Sequence, residues 1–362
     1  MRRIHTGLGL RLDRSSVLAS VLATALASGA AAGLAMLIST GAGTGCSFYL
    51  PERPVCTGDA GCKPMDMGTP VDMAKDPNDP SGPGPYLVAT LTAPTPPAGI
   101  SKLTLLGPSD DGSALSNKES SYPLVMVAPP EYTDPALMRP YAERLVSHGF
   151  LVALYSPTNE TNHMAYRDAA KSLLDSFVAN AVQQRIDTQR LGLVGYQLSG
   201  KIAAALAAAD TRVGGLFLID PVDSFTASGP IDGISELSRV TLAGGATVAL
   251  LGTQLATTGN PPCVQQSPRL DSYQDFYSAA RMPAVGISFG GANLADFVEG
   301  YYDTTCYKDS TAPRTRTQDL SKKYMTAYFQ WSLKARARSR EYLLGNDFNA
   351  DMQSAMLTRL SK

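Results

Sequence analysis

Short apolar runs alternate with helical stretches from Tyr86 to the end of the chain. The runs from Leu124 onward are continuously apolar, which is typical of parallel strands covered on both faces. Strands are predicted over Tyr86–Thr92, Leu103–Leu106, Leu124–Ala128, Leu151–Tyr155, Leu191–Val194, Leu216–Ile219, Val248–Leu251 and Ala284–Ser288. Helices are predicted near Pro135–Ser147, Ala165–Gln184, Gly200–Ala209, Ser272–Ala280 and Leu320–Ala335. The alternation predicts one α/β domain with a mostly parallel sheet over residues 86–362.

The first 46 residues have a different pattern, which predicts an export signal. Four arginines precede an uncharged run rich in alanine and leucine, Val17–Ile38. A basic region followed by an apolar run is typical of export signals, although this run is also long enough to be an uncleaved membrane anchor. Small residues then lead to Gly45 and Cys46, which favours lipid attachment at Cys46. We expect a lipoprotein at the cell envelope, or otherwise a periplasmic or secreted protein.

The segment between this signal and the domain is predicted to be a tether. Over residues 47–85, and above all from Lys63 to Pro85, proline, glycine and aspartate dominate. Such a composition offers too few apolar side chains to bury a core. An extended linker between membrane and domain is therefore expected.

Composition and cysteine count narrow the class of protein. The 362 residues carry a net charge of −1 and are 44% hydrophobic, which excludes intrinsic disorder and disfavours a nucleic-acid-binding protein. If Cys46 carries lipid, four cysteines remain, and two local disulfides are favoured among three connectivities. These pairs are Cys56–Cys62 and Cys263–Cys306. Metal-ligand spacing is missing, so neither a metal nor another cofactor is expected.

The candidate chemistry lies at the turn after the predicted strand Leu191–Val194. This strand runs into Gly195, and an alanine-rich helix leaves from Gly200. Small residues on both sides of a central position, Gln197, predict a sharp, strained strand-to-helix turn. In a parallel sheet, such turns at the carboxyl ends of strands are where functional groups gather.

This turn resembles the nucleophile elbow of the α/β-hydrolase fold. Four further segments resemble hydrolase motifs in the same chain order: Pro130–Thr133 the oxyanion loop, Ser147–Phe150 the entry to the next strand, Asp220–Asp223 the acid-bearing segment, and Pro262–Cys263 with Asp275–Tyr277 a later pattern. Over Tyr86–Leu343 the chain is similar to chlorophyllases and polyester hydrolases, which are cutinase-like and dienelactone-hydrolase-like proteins. The resemblance implies an α/β-hydrolase fold with a mostly parallel central sheet flanked by helices.

The chain departs from this family at two catalytic positions. Gln197 stands where the family has its nucleophilic serine, and a carboxamide cannot form an acyl-enzyme. Aligning Asp296 with the family's aspartate places Leu294 at the position of the catalytic histidine, and no histidine follows His163. Of the implied triad only the acid, Asp220, remains.

The resemblance also implies an oxyanion site. Its donors are the backbone N–H groups of Tyr132 and Leu198. Glu131 replaces the glycine of the family's loop and brings a carboxylate close to the place where negative charge develops. The two histidines of the domain are expected elsewhere: His148 is expected to pack or cap, and His163 is expected in a loop near the pocket rim.

These residues predict a pseudo-esterase rather than a working hydrolase. We expect an exported, lipid-anchored protein that binds a small apolar or ester-like ligand, or an envelope protein, without turning it over. The membrane is reached through the N-terminal lipid or anchor, and no nucleic-acid partner is expected. The alternative is a weakly active or atypical carboxylic-ester hydrolase of the chlorophyllase or polyester-hydrolase type.

Overall fold

The computed structural model describes residues 76–223, 231–255, 272–281, 283–300, 310–354 and 356–361. The chain separates into two compact units, residues 1–71 and 72–362, and every described residue belongs to the second. The predicted signal, most of the predicted tether and all five cysteines, with the lipidation and disulfides proposed for them, lie outside the described residues. No helix within the described ranges has the length and apolar character needed to cross a membrane.

One sheet of nine strands forms the centre of the second unit. The strands are β1 Leu87–Leu91, β2 Ile100–Ser109, β3 Tyr122–Ala128, β4 Leu151–Pro157, β5 Ile186–Tyr196, β6 Val213–Ile219, β7 Val248–Thr253, β8 Ala284–Phe289 and β9 Leu357–Arg359. Their order is β1-β2-β4-β3-β5-β6-β7-β8-β9. The pairs β1–β2, β2–β4 and β8–β9 are antiparallel, and every pair from β4–β3 to β7–β8 is parallel.

Helices cover both faces of this sheet. In the described residues they are α1 Arg139–Ser147, α2 His163–Ala179, α3 Ala181–Gln184, α4 Leu198–Ala209, α5 Gly233–Arg239, α6 Tyr273–Ala279, α7 Arg314–Ser332, α8 Glu341–Leu344 and α9 Asn346–Ser354. Short 3-10 helices span Pro135–Met138, Ala243–Gly245, Leu294–Phe297 and Ala337–Arg340. The predicted fold class, α/β with a mostly parallel sheet and helices on both sides, is confirmed.

The core explains the continuous apolar runs. In β3, Leu124 and Met126 belong to the apolar layer under α2, α4, α5 and α6, whereas Val125 and Val127 belong to the layer under α1 and α7. Successive side chains of a strand point to opposite faces, so a strand covered on both faces must be apolar at every position. This is why the six parallel strands were recognisable in the sequence.

The chain ahead of β1 is packed against the domain. Gly84 donates its N–H to the Ser147 hydroxyl over 2.9 Å, and Tyr86 donates to the Ser147 carbonyl over 3.1 Å. His148 contacts the Gly82 carbonyl over 2.9 Å, and Arg144 donates to the Pro80 carbonyl over 3.0 Å. The packed chain thus extends back from Tyr86 to Pro80, into the last part of the predicted tether.

Candidate functional site

The turn between β5 and α4 has the strained geometry that the sequence predicts. Gln197 adopts φ 52° and ψ −121°, a conformation that costs a side-chain-bearing residue about 1–3 kcal/mol. The flanking glycines are required sterically, because a Cβ on Gly195 would lie 2.2 Å from the Ser199 carbonyl oxygen, and one on Gly200 would lie 2.9 Å from the Pro221 Cβ. Gln197 is buried, at 6% exposure.

Backbone hydrogen bonds fix Gln197 against the end of β6. Its N–H donates to the Ile219 carbonyl over 2.9 Å, and its own carbonyl accepts from Gly200 over 2.9 Å and from Val222 over 3.4 Å. Since Tyr196 pairs with Ile219 in the β5–β6 ladder, the next residues of the two strands, Gln197 and Asp220, are neighbours at the carboxyl edge of the sheet.

Asp220 is a buried carboxyl group whose partners are neutral. Its side chain is 1% exposed, and the Thr253 hydroxyl donates to it over 2.8 Å. Burial raises the pKa of Asp220 from 3.8 to about 7, and the hydrogen bonds from Thr253 only partly oppose this rise. No lysine, arginine or histidine of the described chain forms an ion pair with it. At neutral pH the carboxyl group is therefore partly protonated.

Leu294 reaches the same edge from the segment after β8. It opens the 3-10 helix Leu294–Phe297, is 1% exposed, and its carbonyl accepts a hydrogen bond from the Tyr196 hydroxyl. Asp296 caps this helix by accepting from the Asn293 N–H over 2.8 Å. The structure thus links the Leu294 segment to the residue directly before Gln197, and an apolar residue stands at the implied histidine position.

The backbone N–H of Tyr132, an implied oxyanion donor, already donates a hydrogen bond within the protein. Tyr132 lies in the loop between β3 and α1 with φ 56°, and its backbone N–H donates to the carboxylate of Glu160. The second implied donor, the Leu198 N–H, belongs to the first residue of α4, where no helical carbonyl is available to it. Glu160 was missed by the sequence reasoning; its only signal was its position just after β4, at the carboxyl edge.

Glu131 is the neighbour of Tyr132 in the chain, but its carboxylate does not accept the hydrogen bond from the Tyr132 N–H. Burial raises the pKa of Glu131, whereas its hydrogen bond with the Tyr132 side chain lowers it. Burial also raises the pKa of Glu160, with a further contribution from the negative charge of Glu131. Two half-buried carboxyl groups therefore flank the loop where one was expected.

Ser199 is not an alternative nucleophile in the site. Its hydroxyl donates to the Pro129 carbonyl over 2.6 Å and contacts the Tyr166 hydroxyl over 2.9 Å, inside the α2–α4 packing. Both contacts hold the side chain away from solvent, and it is 3% exposed. The geometry therefore supports Gln197, and not Ser199, as the central residue of the turn.

A buried polar cluster lies close to the turn. Lys201 of α4 and Asp223 after β6 form an ion pair over 2.5 Å, and both side chains are buried. His163, at the start of α2, is fully buried, and neither ring nitrogen has a hydrogen-bond partner in the described chain. Burial and the positive charge of Lys201 lower the pKa of His163, and the negative charge of Asp223 only partly opposes this shift. In the described ranges, no three or more histidine, cysteine or acidic side chains are arranged to hold a metal ion.

A scan against protein-family models and a search of curated proteins found no match for this chain.

Proposed function

We propose that this protein is a non-catalytic relative of the α/β hydrolases, similar to chlorophyllases and polyester hydrolases, that binds a small carbonyl-containing ligand at the carboxyl edge of its sheet. The observation that carries the proposal is Gln197 in the strained turn between β5 and α4. That turn, at the end of a central strand, is where an α/β hydrolase presents its nucleophile. The strand order with an antiparallel β2 is also the order expected of that fold.

Loss of catalysis follows from the side chains at this edge. The Gln197 carboxamide has no proton to lose and no useful nucleophilicity, and Leu294 offers no base. A triad works as a unit, so the loss of both nucleophile and base removes the covalent route. Asp220 alone has no imidazole to orient.

A binding role is supported by the strain that this edge retains. Among the described residues, five non-glycine residues have positive φ, and three of them are Tyr132, Gln197 and Asp220. Strained conformations of this kind cluster at functional sites, because folding alone gives no reason to keep them. The three strained residues hold a backbone donor, a carboxamide and a carboxyl group at one edge, a set suited to an oxygen-bearing ligand.

The experiment compares binding with turnover. We expect 2-hexanone, a neutral ketone that resembles a short ester but cannot be hydrolysed, to shift the NMR signals of the Gln197 side chain and the Leu198 amide. Hydrolysis of p-nitrophenyl butyrate should remain at the buffer rate. Gln197→Leu should abolish the ketone response, whereas Gln183→Leu, an exposed site on α3, should leave it unchanged.

A second candidate function, an atypical ester hydrolase, is favoured by the pKa of Asp220. A carboxyl group with a pKa of about 7 is suited to act as a general acid or base at neutral pH. In this alternative, water held between Gln197 and Asp220 attacks the ester slowly. Ester turnover that disappears in both Gln197→Ala and Asp220→Asn would establish it and overturn the non-catalytic proposal.

We also propose that the domain works at the cell envelope. The support is the sequence pattern that ends at Gly45 and Cys46. Palmitate labelling of the expressed protein, with partition into the detergent phase of Triton X-114, should be lost in Cys46→Ser and kept in Cys56→Ser. Labelling that survives in Cys46→Ser would contradict lipid attachment at this residue.

A further inference from the structure

The contact between Tyr132 and Glu160 joins two loops at the carboxyl edge of the sheet. The Glu160 carboxylate accepts the Tyr132 backbone N–H, the group that the proposed function assigns to the carbonyl oxygen of a ligand. A carboxylate is a stronger hydrogen-bond acceptor than a neutral carbonyl oxygen. Glu160 therefore competes directly with any neutral ligand for this donor.

The backbone around Glu160 is held on both sides. Thr158 donates its N–H to the Gly99 carbonyl over 2.8 Å, and the Asn162 side chain caps α2 by accepting from Ala165 over 3.0 Å. Between them, the Asn159 side chain accepts from the Thr161 N–H over 2.9 Å. Because these bonds fix the loop, rotation of the Glu160 side chain is the simplest way to release Tyr132.

The surroundings of Glu160 make its charged form costly. Neither Glu131 nor Glu160 forms an ion pair with a lysine or arginine of the described chain. The described ionisable groups that face Glu160 are Glu131 and Tyr132 from the β3–α1 loop and Tyr166 from α2. None of them supplies a positive charge, so the Tyr132 N–H is the favourable contact that holds the carboxylate.

We propose that Glu160 is an internal occupant of the ligand site: its carboxylate takes the place of the ligand's carbonyl oxygen on the Tyr132 N–H and keeps the site closed until Glu160 is protonated or displaced. This inference rests on the proposed function and adds its regulation and ligand class. An anionic ligand would meet both Glu131 and Glu160, so the ligand class is a neutral ester, ketone or amide. Binding should strengthen as the pH falls.

The direction of this pH dependence follows from the same contacts. Burial and the neighbouring charge of Glu131 raise the pKa of Glu160, while the hydrogen bond from Tyr132 lowers it. A protonated carboxyl group accepts the N–H bond more weakly than a carboxylate does. Proton uptake by Glu160 therefore frees the Tyr132 donor and reduces the negative charge of the site.

The first test reads the contact directly, without a ligand. In protein labelled with ¹⁵N-tyrosine, the chemical shift of the Tyr132 amide proton should change as the pH falls and Glu160 takes up a proton, at a pH above the ordinary pKa of a glutamate because burial raises the pKa of Glu160. In Glu160→Gln, the chemical shift of the Tyr132 amide proton should lose this pH-dependent change, because the glutamine side chain does not ionise. The matched control is Glu143→Gln, which changes a partly exposed glutamate that pairs with Arg139 on α1. A Tyr132 amide that behaves alike in the wild type and in Glu160→Gln overturns the inference.

The second test measures the affinity for 2-hexanone. Glu160→Ala should bind the ketone on the order of tenfold more tightly than the wild type at pH 7. This gain in affinity is expected because the ligand no longer has to displace a charged hydrogen bond from the Tyr132 N–H. The difference in affinity between Glu160→Ala and the wild type should become smaller as the pH falls, because Glu160 of the wild type is then protonated. Glu143→Gln should bind the ketone as the wild type does. Circular dichroism checks folding, and Glu160→Gln serves as a second, isosteric variant with an intermediate effect.

The outcomes separate this inference from the proposed function. If the wild type, Glu160→Ala and Glu160→Gln bind 2-hexanone equally well, the site binds its ligand but Glu160 does not close it, and the inference is overturned. If none of them binds the ketone, the proposed function is contradicted together with the ligand class. The Tyr132 titration then still decides whether Glu160 occupies the donor.

Discussion

The Thr253 hydroxyl donates a hydrogen bond to the Asp220 carboxyl group over 2.8 Å, so this buried acid is satisfied by a neutral partner. In a working triad, a histidine orients against the acid and its positive charge offsets the buried negative charge. Here the carboxyl group keeps the buried position without that compensation. Its ionisation therefore opposes folding.

The first prediction concerns Asp220→Asn. The pKa of Asp220 is about 7 in the folded protein and 3.8 in the unfolded chain, so the folded state binds more protons between these values. The contribution of Asp220 to stability is full below about pH 4 and decreases as the pH rises to 7, by about 4 kcal/mol in all. Asparagine cannot ionise and keeps an acceptor for Thr253. At pH 8, Asp220→Asn should unfold at higher urea concentration than the wild type.

The control for this experiment is Asp168→Asn, an exposed acid on α2 paired with Arg167. The difference in the free energy of unfolding between pH 5 and pH 8 should be the same in Asp168→Asn as in the wild type. An Asp220→Asn variant that is less stable than the wild type at pH 8 would mean that the ionised carboxylate has a compensating partner.

The elements and the central turn were predictable from the sequence because they rest on local rules. Apolar residues at every position of β3 indicate a strand covered on both faces, and Gly195 and Gly200 around Gln197 indicate a tight turn. By contrast, β9 has three residues, of which only Leu357 is buried, so no apolar run marks it.

The contacts that define the candidate site were not predictable in this way. Glu160 reaches the Tyr132 N–H across 28 positions of the chain, between two loops whose approach depends on the whole sheet. The pKa of Asp220 depends on burial by elements from several parts of the sequence. Motif spacing predicts that Gln197, Asp220 and Leu294 share one edge of the sheet, but it carries no information on their protonation or hydrogen-bond partners.

The second prediction concerns His148 at the opposite edge of the sheet. Burial lowers the pKa of His148 to about 4 from the ordinary value of 6.5. Gln330 contacts the other ring nitrogen, Nδ1, over 3.1 Å, so both nitrogens are engaged when the ring is neutral. The unfolded chain binds more protons between pH 4 and 6.5. The contribution of His148 is therefore present above pH 6.5 and is lost towards pH 4, by about 3 kcal/mol.

Amide hydrogen exchange near His148 measures this loss of stability at the place where it occurs. As the pH falls from about 6.5 to 4, the Gly84 amide, which donates to Ser147 beside His148, should lose more protection than the change in intrinsic exchange explains. In His148→Gln this extra loss should disappear. Equal loss in the wild type and in His148→Gln would assign the acid sensitivity to another group.

The third prediction concerns the buried ion pair of Lys201 and Asp223. Removal of one partner leaves a buried charge without compensation, so Lys201→Met should lower the free energy of unfolding by about 3–5 kcal/mol. The double variant Lys201→Met/Asp223→Leu should recover most of this loss, although Asp223 also accepts the Ile234 N–H over 3.3 Å. Urea unfolding of both single variants and the double variant measures the coupling. Additive losses would show that the two charges do not depend on each other.

The fourth prediction tests the proposed relationship to the hydrolases through repair of the implied triad. If the scaffold still holds hydrolase geometry, Gln197→Ser together with Leu294→His should give detectable hydrolysis of p-nitrophenyl acetate. Either change alone should give almost none, because nucleophile and base act as a unit. The Leu294 segment is tied to Tyr196 through its backbone carbonyl, so the substitution leaves that hydrogen bond available.

If the Tyr132 N–H is an oxyanion donor, as we propose, Glu160 is the next obstacle to this repair. Its carboxylate holds the Tyr132 N–H, and loss of one oxyanion donor costs about 10²–10³ in kcat. Adding Glu160→Ala to the repaired pair should therefore raise turnover more than adding Glu131→Gly, because the Glu131 carboxylate does not engage that donor. Circular dichroism confirms folding of each variant. A folded Gln197→Ser/Leu294→His/Glu160→Ala variant without activity would show that position 294 does not present a histidine to position 197. In that case an interaction surface would explain the retained strain at this edge better than a small-ligand pocket would.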